Sequence, residues 1–310
     1  MENYKFIADE KEMEWFFTHV LDNLDGDPFH SYLMCIATRA KKFTEEERKY
    51  YGISGSDGVM MREEIVKPRG KDKVWSFPFF KQHIARYECR GDGLLTKTGL
   101  PYPQKSLSVM IYAEPTDERK VGNFILNYGL QIQKELSDAA IKGSQEGIQR
   151  QMEKLANIGK KLKSCHAENT DKRFVHFDFD IRKDLLDNKE AVDEANRVIR
   201  NVAKYFFGEK STFIIRTHGG FHVLVKTSAL AHGAAYLSDM PRDEFNAKFG
   251  TEAKQVGSNP IKGFISLVEE NYSYTFEDED KVKEQKFVPV PGSWMYDSFT
   301  PYITNKEDFE

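Results

Sequence analysis

The stretch FVHFDFDI, residues 174–181, constrains the fold of this 310-residue chain more than any other. Successive side chains of a β-strand point to opposite faces of the sheet, so the alternation predicts a strand with two different faces. One face carries the apolar residues Val175, Phe177, Phe179 and Ile181. The other face carries His176, Asp178 and Asp180. A half-exposed edge strand whose polar face holds two aspartates by coincidence would show the same pattern.

Two carboxylates on one strand face point to a site for divalent cations. Alternate residues of a strand lie about 6.5–7 Å apart at Cα, and their carboxylates can lean together onto one or two ions. Without a cation the carboxylates would repel each other, and one would tend to take up a proton. Hard oxygen ligands suit Mg²⁺ or Mn²⁺, which commonly serve phosphoryl transfer. We therefore predict that Asp178 and Asp180 bind metal.

Composition favours a soluble globular protein of a reducing cytosol. Charged residues make up 30 % and apolar residues 40 % of the chain, and no apolar run approaches the ~20 residues that span a bilayer. The amino terminus, MENYKFIADE, has no basic leader followed by an apolar run, so no secretion signal is expected. Three scattered cysteines without Cys-x-x-Cys spacing argue against disulfides and structural zinc. The net charge of −4 restricts any polyanion partner to local basic patches.

The length of the chain predicts one large or two closely packed domains, because 310 residues exceed the usual size of one core. A polar tract at 164–173 marks the expected boundary between an amino-terminal α/β module, residues 1–165, and a second module, residues 166–310. In the first module helices are expected at 9–24, 116–136 and 147–163, and strands within 30–42 and 105–115. Thr116 is the expected N-cap of its helix.

Two basic runs of the first module are candidates for contacts with a nucleic-acid backbone. The strand pattern at 30–42 ends in cations that it would deliver to phosphates, and the loop-like run KPRGKDK follows at 67–73. Solvated surface charge is the alternative for both runs. The residues expected to make these contacts are Arg39, Lys41, Lys42, Lys67 and Arg69.

The second module continues with a helix and a hairpin. Asn188 is placed to cap a helix at 189–207, which Gly208 ends. The run STFIIRTHGGFHVLVKT, residues 211–227, predicts two apolar strands around a tight turn. Backbone amides beside paired glycines, a hydroxyl, an imidazole and a guanidinium together suit the phosphates of a nucleoside triphosphate. The residues expected in this cradle are Arg216, Thr217, Gly219, Gly220, His222 and Lys226, and for His222 alone a buried structural role is the alternative.

The strand with Asp-x-Asp and the hairpin with Gly-Gly-x-His, in a strand–helix–strand–strand unit, resemble the catalytic core of the archaeo-eukaryotic primase superfamily, the primase-polymerases. The resemblance implies an α+β fold whose second module is an RRM-like mixed sheet. It also implies that Asp178 and Asp180 bind two catalytic Mg²⁺ or Mn²⁺ ions. The family's Ser-x-His element, which contacts the phosphates of the incoming nucleotide, falls on Gly220, Phe221 and His222. Glycine replaces the expected serine, and Thr217 is the nearest hydroxyl.

The third motif of the family supplies another acidic residue, commonly ahead of a Pro-Gly-Ser or Pro-Gly-Thr turn. The segment KFVPVPGSW, residues 286–294, matches the turn, and the acidic run FEDEDK, residues 276–281, precedes it. By this resemblance Asp280 or Asp278 is the third carboxylate and metal ligand. A solvated charge run is the alternative reading of this segment.

The resemblance implies a DNA primase or primase-polymerase that transfers nucleotides from an NTP or dNTP to a 3′-hydroxyl on a single-stranded DNA template. It implies catalytic roles for Asp178, Asp180, His222 and Asp280. A cytoplasmic setting in bacterial, phage or plasmid replication, with a separate helicase and no membrane partner, would fit this activity. The residues leave two alternatives open: a metal-dependent nuclease that uses the same carboxylates, or a non-catalytic replication-initiation or nucleic-acid-binding protein on a primase-like scaffold.

Overall fold

The structure of this protein is a computed structural model that describes residues 4–21, 29–53, 59–66, 76–88, 94–158, 165, 170–250, 253–272, 287–295 and 299–310. Within these residues the chain forms helices and two antiparallel sheets, which confirms the expected α+β class. None of the described helices combines the length and the apolar character that crossing a lipid bilayer requires.

The strands divide between two sheets. In chain order they are β1 (His30–Thr38), β2 (Val59–Val66), β3 (Leu107–Ile111), β4 (Thr116–Asp117), β5 (Phe174–Asp180), β6 (Thr212–Arg216), β7 (Gly220–Lys226), β8 (Val288–Pro289) and β9 (Tyr302–Ile303). The first sheet has the order β2-β1-β3-β8, and β4 pairs with the start of β1. The second sheet has the order β5-β7-β6-β9.

The helices precede, follow or connect these strands. In chain order they are α1 (Glu10–Phe16), α2 (Glu45–Tyr51), α3 (Phe77–Glu88), α4 (Glu118–Ile141), α5 (Gln145–Ala156), α6 (Lys189–Phe207), α7 (Leu230–Asp239), α8 (Arg242–Phe249), α9 (Ala253–Val256) and α10 (Pro260–Tyr272). Helix α1 continues as a π-helical turn at Phe17–Leu21. Helices α4 and α5 pack against each other as a helical hairpin.

The start of α4 differs from the sequence prediction. Asp117 caps this helix, since its side chain accepts a hydrogen bond of 2.9 Å from the backbone N–H of Arg119. Thr116 instead pairs with Ser31 of β1. The prediction of Thr116 as N-cap is therefore wrong, because a pairing with a distant strand holds that residue in an extended conformation.

The second sheet contains the expected strand–helix–strand–strand unit. Strands β5 and β6 run in the same direction on either side of β7, and α6 connects them. The side chain of Asn188 caps α6 by accepting a hydrogen bond of 3.2 Å from the N–H of Ala191. At the other end Gly208 adopts a φ of 86°, which favours glycine. These two ends of α6 confirm the sequence prediction.

The two faces of the second sheet pack against different partners. Phe177 and Phe179 of β5 belong to a core that includes side chains of α6, α7 and α10. On the opposite face, Ile215 and Leu224 belong to a core that includes Met34 of β1. The polar residues of β5 share this second face, because residues paired across antiparallel strands point the same way. The face that bears the acidic pair is therefore turned toward the first sheet.

The segment with the Pro-Gly-Ser turn crosses back to the first sheet. Strand β8 pairs with β3, with Val288 opposite Ile111 and Pro289 opposite Met110. Strand β9 then returns to the second sheet and pairs with β6. Strand β8 therefore belongs to the first sheet, although its residues fall within the expected second module, residues 166–310.

Candidate functional site

Asp178 and His222 face each other on adjacent antiparallel strands. The register of β5 and β7 places the two residues directly opposite, and His222 Nε2 lies 3.6 Å from Asp178 Oδ1. Both side chains are largely buried, with 5 % of the imidazole and 11 % of the carboxylate exposed. The structure thus brings together the acid and the imidazole that the sequence motifs single out.

Asp180 lies beside the turn that joins β6 and β7. The register pairs it with Gly220, and the N–H of Ile181 donates a hydrogen bond of 2.9 Å to the carbonyl of Gly219. A Cβ atom on Gly219 would lie 3.4 Å from Asp180 Oδ1. The second carboxylate of the Asp-x-Asp strand is therefore next to the glycine turn, on the strand face that also bears Asp178.

Gly220 has no space for a side chain. A Cβ atom at this position would lie 1.9 Å from the carbonyl oxygen of Phe179 and 3.0 Å from the Cα of Asp180. Glycine is needed here because the backbone of β5 approaches so closely. The serine that the primase family carries at this position is excluded by the same contact.

The hydroxyl of Thr217 holds the turn closed. Thr217 Oγ1 accepts a hydrogen bond of 3.2 Å from the N–H of Gly220 and lies 3.2 Å from the carbonyl oxygen of the same residue. The N–H of Thr217 donates to that carbonyl at 2.9 Å, and the threonine is 4 % exposed. This hydroxyl is thus engaged within the hairpin and does not occupy the place of the missing serine.

Arg216 lies behind the turn, on the face of the sheet opposite to His222. It pairs with Phe221, and its guanidinium donates hydrogen bonds to the carbonyls of Thr217 and, at 2.8 Å, Gly220. The same group lies 5.2 Å from the ring centre of Phe221 and 5.6 Å from that of Phe299. Burial lowers the pKa of Arg216. The structure therefore places Arg216 as a support of the turn, apart from the Asp178–His222 pair.

Lys226 lies at the far end of β7. Its Nζ donates a hydrogen bond of 2.9 Å to the carbonyl of Lys210 and lies 5.5 Å from the ring centre of Phe213. Burial lowers the pKa of Lys226. Lys226 is four positions along the strand from His222, which corresponds to about 13 Å between the two Cα atoms. The structure does not bring Lys226 to the acidic pair.

The imidazole of His222 is neutral at physiological pH. Burial lowers its pKa to about 3, and the positive charge of Arg39 acts in the same direction. The contact between His222 Nε2 and Asp178 Oδ1, at 3.6 Å, is longer than a hydrogen bond. Arg39 follows directly after β1, and its effect on His222 links the end of that strand to the site.

His176 is a further residue of the site. Its Nε2 lies 2.6 Å from Nδ1 of His222, a hydrogen bond between the two rings. The alternation of β5 places His176 on the face of Asp178, but the sequence alone does not indicate this contact. Its position two residues before Asp178 indicates only that the two side chains share one face of β5.

Several candidate residues are described in part or not at all. Lys42 lies with Ala40 in a 3₁₀ turn after β1, and of Lys41 in the same turn the structure describes the backbone alone. The remaining candidates lie outside the described residues: Lys67, Arg69, Asp278 and Asp280.

The donors at the site fit a hard divalent ion through two carboxylates. Asp178 and Asp180 offer the oxygen ligands that Mg²⁺ and Mn²⁺ prefer. Within the part of the chain that the structure describes, no group of three or more His, Cys, Asp or Glu side chains is arranged to hold a metal ion. The expected third carboxylate, Asp280 or Asp278, belongs to the segment 273–286, outside that part.

The feature of the structure that bears most on function is the pairing of the acidic strand β5 with the glycine-flanked His222 of β7. Comparison of the sequence with known protein families and with curated proteins finds no match.

Proposed function

We propose that this protein is a metal-dependent nucleotidyltransferase of the primase-polymerase type. It would add nucleotides from NTPs or dNTPs to a 3′-hydroxyl on a single-stranded DNA template. The observation that carries the proposal is the position of Asp178 opposite His222, with Asp180 beside the glycine turn. The order of elements around this pair, with α6 between β5 and β6, supports the same assignment.

The carboxylates of Asp178 and Asp180 hold the divalent ions in this proposal. When bound, such ions lower the pKa of an attacking hydroxyl and stabilise charge on the triphosphate and on the leaving pyrophosphate. The low exposure of Asp178 restricts water around it, which strengthens its electrostatic interactions. The family resemblance assigns a third carboxylate to Asp280 or Asp278.

The polar face of the second sheet contacts the phosphates of the nucleotide. His222 acts there as a neutral hydrogen-bond donor, since its pKa of about 3 leaves it uncharged at physiological pH. Arg39 adds positive charge from the end of β1. A hydrogen-bond donor opposite Asp178 and a cation whose charge acts on that donor form a site suited to a triphosphate with its metal ions.

A metal-dependent nuclease is the second candidate, because the same carboxylates would serve attack by water. A nuclease of this kind often needs a base near its working pH to activate the water. The buried His222, with a pKa of about 3, is a poor base for that purpose. Bound divalent ions would, however, lower the pKa of a water molecule as they would that of a 3′-hydroxyl, so the choice between the two activities is made by experiment.

The experiment that tests the proposal uses the full chain, a labelled primer on a single-stranded template, and Mg²⁺ or Mn²⁺, with and without nucleoside triphosphates. Lengthening of the primer only when triphosphates are present would support nucleotidyl transfer. Shortening without triphosphates would support the nuclease instead. Metal-independent DNA binding, without triphosphate binding by calorimetry, would identify a non-catalytic binding protein.

A further inference from the structure

His176 and His222 form a hydrogen-bonded pair of histidines on the face of the second sheet that bears Asp178. His176 Nε2 lies 2.6 Å from His222 Nδ1, with ring centres 4.8 Å apart and ring planes inclined by 32°. His176 pairs with Leu224, so it reaches His222 diagonally across the β5–β7 boundary. The other nitrogen of His222, Nε2, faces Asp178 Oδ1 at 3.6 Å.

The direction of this hydrogen bond decides which nitrogen of His222 carries its proton. A neutral imidazole has one N–H donor and one acceptor nitrogen. If His176 donates to Nδ1 of His222, the N–H of His222 is on Nε2 and points to the carboxylate of Asp178, which is favourable. If His222 donates instead, the lone pair of its Nε2 faces that carboxylate, and the two repel each other in a buried setting. The electrostatics therefore select the first arrangement.

We propose that His176 is a positioning residue that holds His222 in its Nε2–H tautomer, so that the ring presents its Nε2–H to an anionic oxygen at the site. In the structure this nitrogen faces Oδ1 of Asp178, at 3.6 Å. In the working enzyme it faces a phosphate oxygen of the bound triphosphate. This last step alone rests on the proposed function, whereas the tautomer of His222 does not.

Two other histidines provide internal references for the tautomer. His19 and His232 each place Nδ1 at 2.9 Å from a backbone carbonyl oxygen, of Trp15 and Phe206 respectively. A carbonyl oxygen can only accept, so the N–H of both rings is on Nδ1. The tautomer that we propose for His222 is the opposite one, and a single spectrum will contain both patterns.

The test is a long-range proton–nitrogen NMR spectrum of the ¹⁵N-labelled full chain at neutral pH without nucleotide, recorded first without metal and then with Mg²⁺, since a cation on the acidic pair keeps both carboxylates ionised. A His222→Gln variant assigns the His222 signals by their disappearance. The expected result is a pyridine-like shift for Nδ1 of His222 and a pyrrole-like shift for Nε2, the reverse of His19 and His232. A pyrrole-like Nδ1 in His222 would overturn the proposal.

Two variants of His176 separate positioning from simple packing. His176→Gln keeps a donor near the place of Nε2, and we expect it to preserve the His222 pattern. His176→Leu removes the donor, and we expect averaged shifts for the two nitrogens of His222 while the His19 and His232 signals stay unchanged. An unaltered His222 pattern in a folded His176→Leu protein would show that Asp178 alone selects the tautomer. If the leucine variant does not fold, the wild-type pattern and the glutamine variant still decide the question.

Primer extension adds a readout that depends on the proposed function. His176→Leu is expected to raise the KM for the triphosphate about tenfold, the effect of one weakened hydrogen bond to a charged group, and His176→Gln to restore it. Equal KM values in all three proteins would exclude the role in nucleotide binding. Absence of extension by the wild-type protein would overturn the proposed function while leaving the NMR result to stand by itself.

Discussion

The carbonyl oxygen of Phe179 lies 1.9 Å from the point where a Cβ atom of residue 220 would be placed, so that β5 and Gly220 are in direct backbone contact. The contact locks the glycine turn against the strand that carries Asp178 and Asp180. A protein with the serine of the primase motif at this position would need a different separation of the two strands. The close approach therefore requires glycine at position 220 of this chain.

Replacing Gly220 by serine is expected to destabilise the protein by about 1–3 kcal/mol or more, since the strands must separate to admit the Cβ atom. Urea unfolding measures the change in the free energy of unfolding. Gly219→Ala is the matched control, because its Cβ would meet Asp180 Oδ1 at 3.4 Å, an ordinary contact. Equal stability of the two variants would contradict the proposed backbone contact.

Replacing Asp178 by asparagine is expected to reduce primer extension at least about 100-fold, because a neutral amide oxygen is a weak ligand for a hard divalent ion. Circular dichroism should show an unchanged fold. Asp187→Asn, at an exposed turn residue before α6, is the control and should retain full activity. Full extension by the Asp178 variant would rule out the proposed role of the carboxylate.

Manganese binding provides a test that does not depend on activity. Calorimetry of the wild-type protein with Mn²⁺ should detect binding if, as proposed, the carboxylates of Asp178 and Asp180 hold the ion. Asp180→Asn is expected to weaken that binding about tenfold or more, and Asp187→Asn to leave it unchanged. Identical binding curves for all three proteins would mean that the ion binds elsewhere.

Replacing Arg216 by lysine is expected to destabilise the protein by about 1–3 kcal/mol, although the charge is kept. The guanidinium bridges two carbonyls of the turn and packs between two aromatic rings, which an ammonium group cannot reproduce. Arg197→Lys, on the exposed side of α6, is the control and should have no measurable effect. Denaturant unfolding distinguishes the two, and equal midpoints would show that the turn does not depend on Arg216.

The stability of the protein should fall with acidification between about pH 6.5 and pH 3 through His222. In the folded protein the pKa of His222 is lowered from 6.5 to about 3, so as pH falls the unfolded chain binds a proton at this residue before the folded chain does. The stability that the neutral ring contributes above pH 6.5 is therefore lost as pH falls. The expected slope is up to about 1.4 kcal/mol per pH unit. Urea unfolding at several pH values should show a smaller slope for His222→Gln, while the exposed-residue control His218→Gln behaves like the wild type. Equal slopes for the wild-type and His222→Gln proteins would contradict the neutral, buried state of His222.

The faces of β5 could be predicted from the sequence because the two-residue period of a strand is local. The ends of α6 at Asn188 and Gly208 were predictable for a similar reason, since capping depends on neighbouring residues. The face on which Arg216 lies could not be predicted, because it depends on the register that the turn at 217–220 imposes on β6 and β7. The contact between His176 and His222 depends on the same pairing.

The pairing of β8 with β3 could also not be predicted from the sequence. A strand of two residues, Val288–Pro289, has no periodic signal, and its partner β3 is distant in the chain. The Pro-Gly-Ser turn was recognisable, but its sheet was not. Whether Asp280 or Asp278 completes the acidic site stays a prediction, since both lie outside the described residues.

The return of β8 to the first sheet has a consequence for how the gene can be divided. A fragment that ends at residue 165 would lack the strand that covers the edge of β3, and the complementary fragment would carry that strand with nothing to pair with. Neither fragment would contain the β3–β8 pair, so we do not expect the strand with Asp178 and Asp180 to keep its native setting in residues 166–310 alone. The carboxy-terminal half of the chain thus supplies a strand to the sheet of the amino-terminal half.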